Sequence, residues 1–191
     1  MSDYRRYNVA GATYFFTIVT HGRRSIFANE GNVQRLREAI AAVRKELPFE
    51  FNAAVVLPDH LHFLWTLPVN DYAYSKRIGR MKVHFTQDYH GIAQLPGNVS
   101  LSRRKRRESD VWQRRFWEHL IRDEHDFERH FDYIHYNPVK HGLATCPHGW
   151  EASRFHRWVE RGVCDRYWGC NCDGRQFPAI DFVDIADTVG E

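Results

Sequence analysis

The chain of 191 residues is 43% hydrophobic and 27% charged, with a formal net charge of +3. This composition excludes a wholly disordered chain, and the length suits one compact domain with a core and some peripheral structure. No apolar run approaches the roughly 18 residues of a membrane span, and the first residues lack the apolar block of a signal peptide. We therefore expect a cytoplasmic protein with no membrane partner.

The first predicted elements are a strand and a helix. Residues 12–20 are β-branched and aromatic, and they follow a glycine, which predicts a buried strand. Residues 31–47 then place apolar side chains at helical spacing. We expect this helix to be capped by Asn32 and to end at Pro48.

Two more strands and a second helix are expected next. The apolar runs 51–57 and 60–67 are separated by Pro58-Asp59, a turn signal between antiparallel strands. Residues 75–89 have the weakly amphipathic pattern of a helix.

A linker over residues 91–109, rich in Gly, Pro, Ser and Arg, separates these elements from the last strand and helix. Residues 111–121 resume strand-like composition. A third helix is expected over residues 123–137, because Pro138 disfavours helical geometry in the residue before it. Its buried stripe is predicted to be Phe127, Phe131 and Ile134.

The order of these elements predicts an α+β fold. It is that of a ferredoxin-like βαββαβ unit, an antiparallel sheet with helices on one face, followed by an extra helix. We assign residues 1–145 to this domain. Residues 146–191 are expected to form a C-terminal tail that packs on or near it, with a mobile acidic end.

The net charge hides an uneven distribution. Residues 177–191 carry four acids and no base, so the +3 of the whole chain leaves +7 for residues 1–176. Within residues 101–122 the net charge is +5, and Arg103–Arg107 is a continuous basic run. Clustered arginines with interleaved aromatic residues indicate a phosphate-rich partner such as nucleic acid, and a solvated basic loop is the alternative.

All four cysteines fall in the last quarter of the chain: Cys146, Cys164, Cys170 and Cys172. The spacing of Cys170 and Cys172 differs from the two-residue gap of a structural zinc knuckle. We expect reduced thiols without an assigned role, and a minor metal site stays open.

The first pattern with chemical potential is Asp59-His60-Leu61-His62. Alternate side chains of a strand share a face, so His60 and His62 point the same way, opposite to Leu61. Two imidazoles at this spacing can bind one metal ion. The alternative is a pair of histidines on a solvent-exposed face.

The second pattern lies on the third helix. Tyr133 and Asn137 are four residues apart and so lie one turn apart on the same side. Asn137 can offer a carbonyl oxygen to a metal, and Tyr133 can place a phenol beside it. The alternative makes Tyr133 an edge residue of the core and Asn137 a helix stop before proline.

The two patterns together resemble a known family. Two histidines around one hydrophobic residue, with a tyrosine on a downstream helix, resemble the single-tyrosine branch of the HUH single-strand nucleases, and more narrowly the bacterial REP-associated tyrosine transposases. The resemblance rests on five blocks between residue 4 and about residue 168: Tyr4-Arg5-Arg6-Tyr7, Gly11-Ala12-Thr13-Tyr14-Phe15-Phe16-Thr17, Val56-Leu57-Pro58-Asp59-His60-Leu61-His62, Trp112-Gln113-Arg114-Arg115-Phe116-Trp117-Glu118-His119 and Asp132-Tyr133-Ile134-His135-Tyr136-Asn137-Pro138-Val139-Lys140-His141-Gly142-Leu143.

The resemblance implies a metal-dependent enzyme that cleaves and rejoins single-stranded DNA at hairpins of repetitive extragenic palindromes (REP), in the nucleoid of a bacterium. It implies His60, His62 and Asn137 as metal ligands and Tyr133 as the nucleophile that forms a 5′-phosphotyrosine. The donor set suits Mg²⁺ or Mn²⁺, although zinc could also occupy it, and the covalent intermediate removes the need for a nucleotide cofactor. The implied partner is single-stranded DNA with a hairpin, bound by a monomer or a dimer.

DNA binding is expected from groups outside this site. Tyr4, Arg5, Arg6 and Tyr7 combine phosphate charge with stacking surfaces, as single-strand binding requires. Further candidates for contact with DNA are Arg114, Arg115, Lys140 and His141. The alternative is a disordered N-terminal arm for the first four residues and a sheet edge for Arg114 and Arg115.

A function from another class is a nucleic-acid-binding module on a ferredoxin-like fold that no longer catalyses. The presence of the two histidines, the tyrosine and the asparagine argues against it. A replication initiator or relaxase would share the chemistry, but its usual length and extra domains do not fit within 191 residues.

Overall fold

The computed structural model describes residues 8–91, 110–172, 175–176 and 180–190. Its helices and strands follow one another as β1 Thr13–Val19, α1 Glu30–Glu46, β2 Glu50–Val56, β3 His60–Thr66, α2 Tyr74–His90, β4 Trp117–Leu120, α3 Glu124–Lys140, α4 Phe155–Glu160, β5 Asn171–Cys172, β6 Arg175–Gln176 and α5 Ala186–Val189. Within these residues, no helix combines the length and apolar character needed to cross a membrane.

The centre of the fold is a four-stranded antiparallel sheet. Its strand order is β2-β3-β1-β4, and β1 pairs with β3 on one side and β4 on the other. This order confirms the α+β, ferredoxin-like arrangement predicted from the sequence. Strands β5 and β6 pair antiparallel in a separate two-stranded sheet.

The sheet is buried on both faces. Alternate residues of β1 point to opposite sides, so Tyr14, Phe16 and Ile18 pack in the core beneath α1 and α2, whereas Phe15 packs in a second core beneath α3. The extra helix therefore covers the face that α1 and α2 leave open. Burial on both faces explains why β1 and β3 are apolar along most of their length.

The C-terminal segment that follows α3 closes one edge of the sheet. Residues 152–154 run alongside β2, where the Val56 amide donates to the Ala152 carbonyl at 2.8 Å and the Arg154 amide donates to the Ala54 carbonyl at 2.9 Å. The indole of Trp150 also donates to the Val56 carbonyl.

The start of α1 differs from the prediction. The N-cap is Asn29, whose side chain accepts from the Asn32 amide at 3.2 Å. Asn32 lies inside the first turn, and its own side chain donates to the Ile26 carbonyl at 2.7 Å. The assignment of Asn32 as the cap was wrong because its amide anchors the preceding turn instead.

The end of α3 also differs, because the helix continues through Pro138 to Lys140. A proline at this position removes one donor, the amide that would bond to the Ile134 carbonyl. The next turn still closes, since the His141 amide donates to the Asn137 carbonyl at 3.0 Å. The predicted stop at Asn137 was therefore wrong, and Asn137 is an interior helical residue.

The buried stripe of α3 is more polar than predicted. Ile134 is buried as expected, but Phe127 and Phe131 are only partly buried, and Phe131 packs edge-on against Trp158 of α4 at 5.6 Å. The buried side chains of α3 are instead Asp126, His130, Tyr133, Ile134, His135, Asn137 and Pro138. The prediction failed because it sought only apolar residues on the sheet-facing side.

Two further expectations changed. The strand expected over residues 111–121 is limited to Trp117–Leu120, because Trp112 turns into the core against Phe27. Two of the thiols expected to be reduced, Cys146 and Cys170, are joined in a disulfide, whereas Cys164 is free. Local sequence patterns could not predict this disulfide, since 24 residues separate the two cysteines. The basic run Arg103–Arg107 lies outside the described residues.

Two buried histidines of α3 make stability depend on pH. Burial lowers the pKa of His130 to about 4 and that of His135 to about 3. At these two positions the unfolded chain therefore binds more protons than the folded chain below about pH 6.5, so their contribution to stability is full above that pH and is lost as the pH drops towards 4.

We expect His135→Phe to reduce this pH dependence, because it removes one of the two groups. Each histidine contributes at most about 1.4 kcal/mol per pH unit. Urea unfolding between pH 7 and pH 4.5 measures the slope. His125→Ala, which changes an exposed histidine of the same helix, is the control. Equal slopes for His135→Phe and the wild type would contradict the assignment.

Candidate active site

The two histidines of β3 lie on the sheet face covered by α3. His62 pairs with Thr17 in the register of β1 and β3, and His60 pairs with Val19. His62 is fully buried and His60 is 4% exposed. The alternative of a solvent-exposed histidine pair therefore does not hold, because α3 covers both rings.

Hydrogen bonds fix which ring nitrogen of His62 carries the proton. Thr17 Oγ1 lies 2.9 Å from His62 Nδ1 and 2.5 Å from the Val189 carbonyl. A carbonyl can only accept, so the hydroxyl donates to Val189 and accepts from Nδ1. The lone pair of the neutral ring is then on Nε2.

A carboxylate orients His60 in the same way. His60 Nδ1 lies 2.6 Å from Asp59 Oδ1, and Arg23 binds the other carboxylate oxygen at 3.2 Å. Burial raises the pKa of Asp59, but the contacts with His60 and Arg23 outweigh it and the net pKa is lowered. The ionised carboxylate accepts from Nδ1, so in the neutral ring of His60 the lone pair is also on Nε2.

Helix α3 lies along the two histidines. The Tyr133 ring packs edge-on against His62 with centroids 5.3 Å apart, and the His141 ring does the same against His60 at 5.5 Å. Residues 133, 137 and 141 succeed one another by one helical turn. Asn137, which is fully buried, therefore lies on the same side of α3 between the two contacts.

Lys140 contacts the tyrosine hydroxyl. Its Nζ donates to the Tyr133 hydroxyl at 3.1 Å and lies 4.7 Å from the ring centre. The sequence suggested Lys140 only as a neighbour of a DNA phosphate. The spacing of seven residues, two helical turns, was the signal available for its contact with Tyr133.

A second cluster of polar side chains lies nearer the start of α3. Asp126 Oδ2 accepts from the Arg122 amide at 3.0 Å and lies 2.9 Å from His119 Nε2, and His130 Nδ1 lies 3.1 Å from Asp126 Oδ1. Burial raises the pKa of Asp126, but its hydrogen bonds from His119 and Arg122 lower it overall. The sequence reasoning left both histidines without a role, although Asp126 and His130 are one turn apart.

An aromatic ring separates this second cluster from the two histidines of β3. Phe15 of β1 lies 5.4 Å from His62 on one side and 4.9 Å from His130 on the other, measured between ring centroids. The donor atoms of His119, Asp126 and His130 lie within 4.8 Å of one another and could hold a metal ion. In this structure they anchor the start of α3 to β4, apart from the pair of histidines on β3.

The end of the chain covers Tyr133. The Phe182 ring packs edge-on against Tyr133 at 5.2 Å, and Arg129 holds this segment through a bidentate ion pair with Asp184 at 2.6 and 2.7 Å. Trp117 of β4 donates to the Thr188 carbonyl at 2.7 Å. Tyr133 is consequently 1% exposed.

Four of the eight predicted DNA-binding residues lie within the described part of the chain. Arg114 and Arg115 are exposed in the turn that leads into β4. Lys140 and His141 contact Tyr133 and His60, as described above. Tyr4, Arg5, Arg6 and Tyr7 lie outside the described residues.

Comparison with known proteins assigns this arrangement to a family. The family model described as "Transposase IS200 like" matches residues 8–137, which include both histidines, the tyrosine and the asparagine. A REP-associated tyrosine transposase of Escherichia coli K12 is 42% identical over 168 residues, covering 88% of this chain and 91% of the relative. A Haemophilus influenzae protein assigned to the same group is 44% identical over 176 residues, covering 91% of this chain and 96% of the relative.

A solved structure is also similar. It is a REP-associated tyrosine transposase bound to a REP hairpin, with a TM-score of 0.75 and 40% identity, and the match covers 95% of this chain and 98% of the other. The chain therefore belongs to the IS200-like transposases and, among them, to the REP-associated tyrosine transposases. Family membership confirms the resemblance drawn from the sequence and favours an enzyme of DNA strand cleavage and transfer over a non-catalytic binding module.

The burial of Tyr133 can be tested chemically. We expect tetranitromethane to nitrate Tyr133 slowly in the wild type and faster in Phe182→Ala, because the substitution uncovers one edge of the ring. Peptide mapping by mass spectrometry measures the modification, and the exposed Tyr167 serves as the internal standard. Val183→Ala, at an exposed neighbouring position, should leave the rate unchanged. Equal nitration rates of Tyr133 in all three proteins would contradict the conclusion that Phe182 covers the ring.

Proposed function

We propose that this chain is a metal-dependent endonuclease and transposase that cleaves and rejoins single-stranded DNA at REP hairpins through a 5′-phosphotyrosine. Tyr133 is the proposed nucleophile, and His60, His62 and Asn137 are the proposed metal ligands. The observation that carries the proposal is the packing of Tyr133 against His62, with Lys140 on the phenol oxygen. We assign the catalytic domain to residues 1–145, with residues 146–191 packed against it.

The residues fit a divalent ion. Ligand histidines in proteins characteristically donate their second ring nitrogen to a carboxylate or another oxygen, as His60 does to Asp59 and His62 does to Thr17. Two imidazole nitrogens and an amide oxygen suit Mg²⁺ or Mn²⁺ with coordination positions left for phosphate. When bound, such an ion would neutralise phosphate charge and orient the scissile bond.

The reaction is a direct displacement at phosphorus. The Tyr133 oxygen forms a bond to the phosphorus atom, the bond to the 3′ oxygen breaks, and that oxygen takes up a proton as the 3′ hydroxyl. The phenol gives up its proton, which balances the one that the 3′ oxygen takes up, and the ammonium of Lys140, 3.1 Å from the phenol oxygen, stabilises the phenolate. The reverse displacement by a 3′ hydroxyl rejoins DNA without a nucleotide cofactor, since the phosphotyrosine retains the bond energy.

We propose hairpin DNA as the partner because the solved relative with 40% identity is described as bound to a REP hairpin. The proposed contacts are the cationic and aromatic groups named from the sequence, of which Arg114 and Arg115 are exposed beside β4. Single-strand binding through such groups weakens with salt, because counterions are released on binding.

We expect Tyr133→Phe to abolish cleavage of a hairpin-bearing single strand and to leave binding close to that of the wild type. The ring and its packing are kept, whereas the attacking oxygen is lost. Denaturing electrophoresis of labelled oligonucleotide with Mn²⁺ detects the covalent protein–DNA adduct. Tyr136→Phe is the matched control on the same helix and should still form the adduct. An adduct with Tyr133→Phe would disprove the nucleophile assignment.

Removal of the Thr17 hydroxyl should weaken metal binding. Thr17→Val frees the orientation of His62, and losses of this kind typically cost about 10–100-fold in metal affinity. Electron paramagnetic resonance of free Mn²⁺ measures the affinity directly. Thr13→Val, four residues earlier on β1 and bonded to Thr66 instead, is the control. Unchanged Mn²⁺ affinity in Thr17→Val would refute the orienting role given to Thr17.

A further inference from the structure

Three metal-binding side chains meet just beyond the end of α3. Cys146 and His148 follow the helix, and Cys170 comes from the turn before β5. Their donor atoms lie within 4.8 Å of one another, and Cys170 Sγ is 4.0 Å from His148 Nδ1. The two sulfurs are joined in a disulfide, and both cysteines are buried.

The backbone holds these residues together independently of the sulfur–sulfur bond. The Asn171 amide donates to the Thr145 carbonyl at 2.8 Å, and the Gly149 amide donates to the Cys146 carbonyl at 3.0 Å. Gly169 has a φ of +65°, and a Cβ there would lie 3.0 Å from the Tyr136 ring of α3. Close packing against α3 therefore sets the position of Cys170.

We propose that Cys146, His148 and Cys170, with the cysteines as thiols, form a zinc site that is separate from the proposed catalytic metal. Zn²⁺ binds two thiolates and one imidazole, releasing two protons to solvent without transfer of electrons. Conversion of the disulfide to this form needs two electrons and two protons from a thiol or phosphine reductant. The proposal does not depend on the proposed function.

The geometry suits tetrahedral zinc. Zinc–ligand distances of about 2.3 Å to sulfur and 2.0 Å to nitrogen place a sulfur and a nitrogen about 3.5 Å apart and two sulfurs about 3.8 Å apart. The 4.0 Å between Cys170 Sγ and His148 Nδ1 needs little adjustment, and reduction lets the sulfurs separate. A fourth ligand, water or another side chain, completes the tetrahedron.

The imidazole is the feature that a structural disulfide does not require. His148 Nδ1 lies 4.0 Å from Cys170 Sγ. Histidine binds metals through the lone pair of a ring nitrogen. Two buried cysteines beside an imidazole match the preference of zinc for sulfur and nitrogen ligands.

The proposed ion would fasten the C-terminal segment to the end of α3. Cys146 follows Asn137 by nine residues, and Gly169, next to Cys170, packs on Tyr136 of the same helix. Zinc at this point would link α3 to the turn before β5. A chelator added to a cleavage assay would then act on two metals, and adding Mn²⁺ back would restore only the catalytic one.

The test is the zinc content of the full chain purified with a phosphine reductant and without chelators. We expect close to one zinc ion per chain in the wild type by plasma mass spectrometry, and a loss of most of it in Cys170→Ser. Cys164→Ser, which changes a cysteine that is free and outside the cluster, should keep the wild-type content. Absence of zinc from the reduced wild-type chain, even after addition of Zn²⁺, would overturn the proposal.

A second pair of variants separates metal binding from folding. Co²⁺ replaces zinc with tetrahedral absorption bands and a thiolate charge-transfer band. We expect His148→Ala to weaken Co²⁺ binding at least tenfold, while His156→Ala, which removes a nearby histidine bonded to the Trp150 carbonyl, leaves it unchanged. Equal Co²⁺ affinity and spectra in wild type and His148→Ala would exclude His148 as a ligand and overturn the three-residue site.

Discussion

The rest of the structure depends on how a polar helix face is buried against a sheet. Polar side chains lose water when α3 covers β1 and β3, so each needs a hydrogen-bond partner within the protein. Thr17 bonds to His62, Asp59 bonds to His60, and Lys140 bonds to Tyr133. These bonds fix the ring nitrogens and the phenol in one arrangement. The hydrogen bonds that compensate for the loss of water at this interface therefore also orient the side chains of the proposed active site.

Much of the fold and the centre of the site could be predicted from the sequence. The strand patterns and the turn at Pro58-Asp59 gave the ferredoxin-like order, and strand alternation placed His60 and His62 together. Local rules failed at Pro138, where one lost hydrogen bond did not outweigh continued packing of the helix. Sequence periodicity could not predict contacts between residues far apart in the chain, such as the pairing of Cys146 with Cys170. Such contacts depend on the tertiary structure of the whole domain.

The C-terminal segment contacts α3 at two places. Arg129 and Phe182 hold its last part near Tyr133, and the cluster around Cys170 holds its middle part near Tyr136. The helix that carries the proposed nucleophile is thus packed between the sheet and chain that follows it. Changes in this segment can alter access to Tyr133 without touching any proposed metal ligand.

The pairing of residues 152–154 with β2 also limits how copies of this protein can associate. An open edge strand presents unpaired amides and carbonyls that a second chain can extend. Here the Val56 amide and the Ala54 carbonyl are already bonded to Ala152 and Arg154. Strand addition at this edge would first have to displace the protein's own chain. A dimer built by joining two sheets would therefore have to use the β4 side.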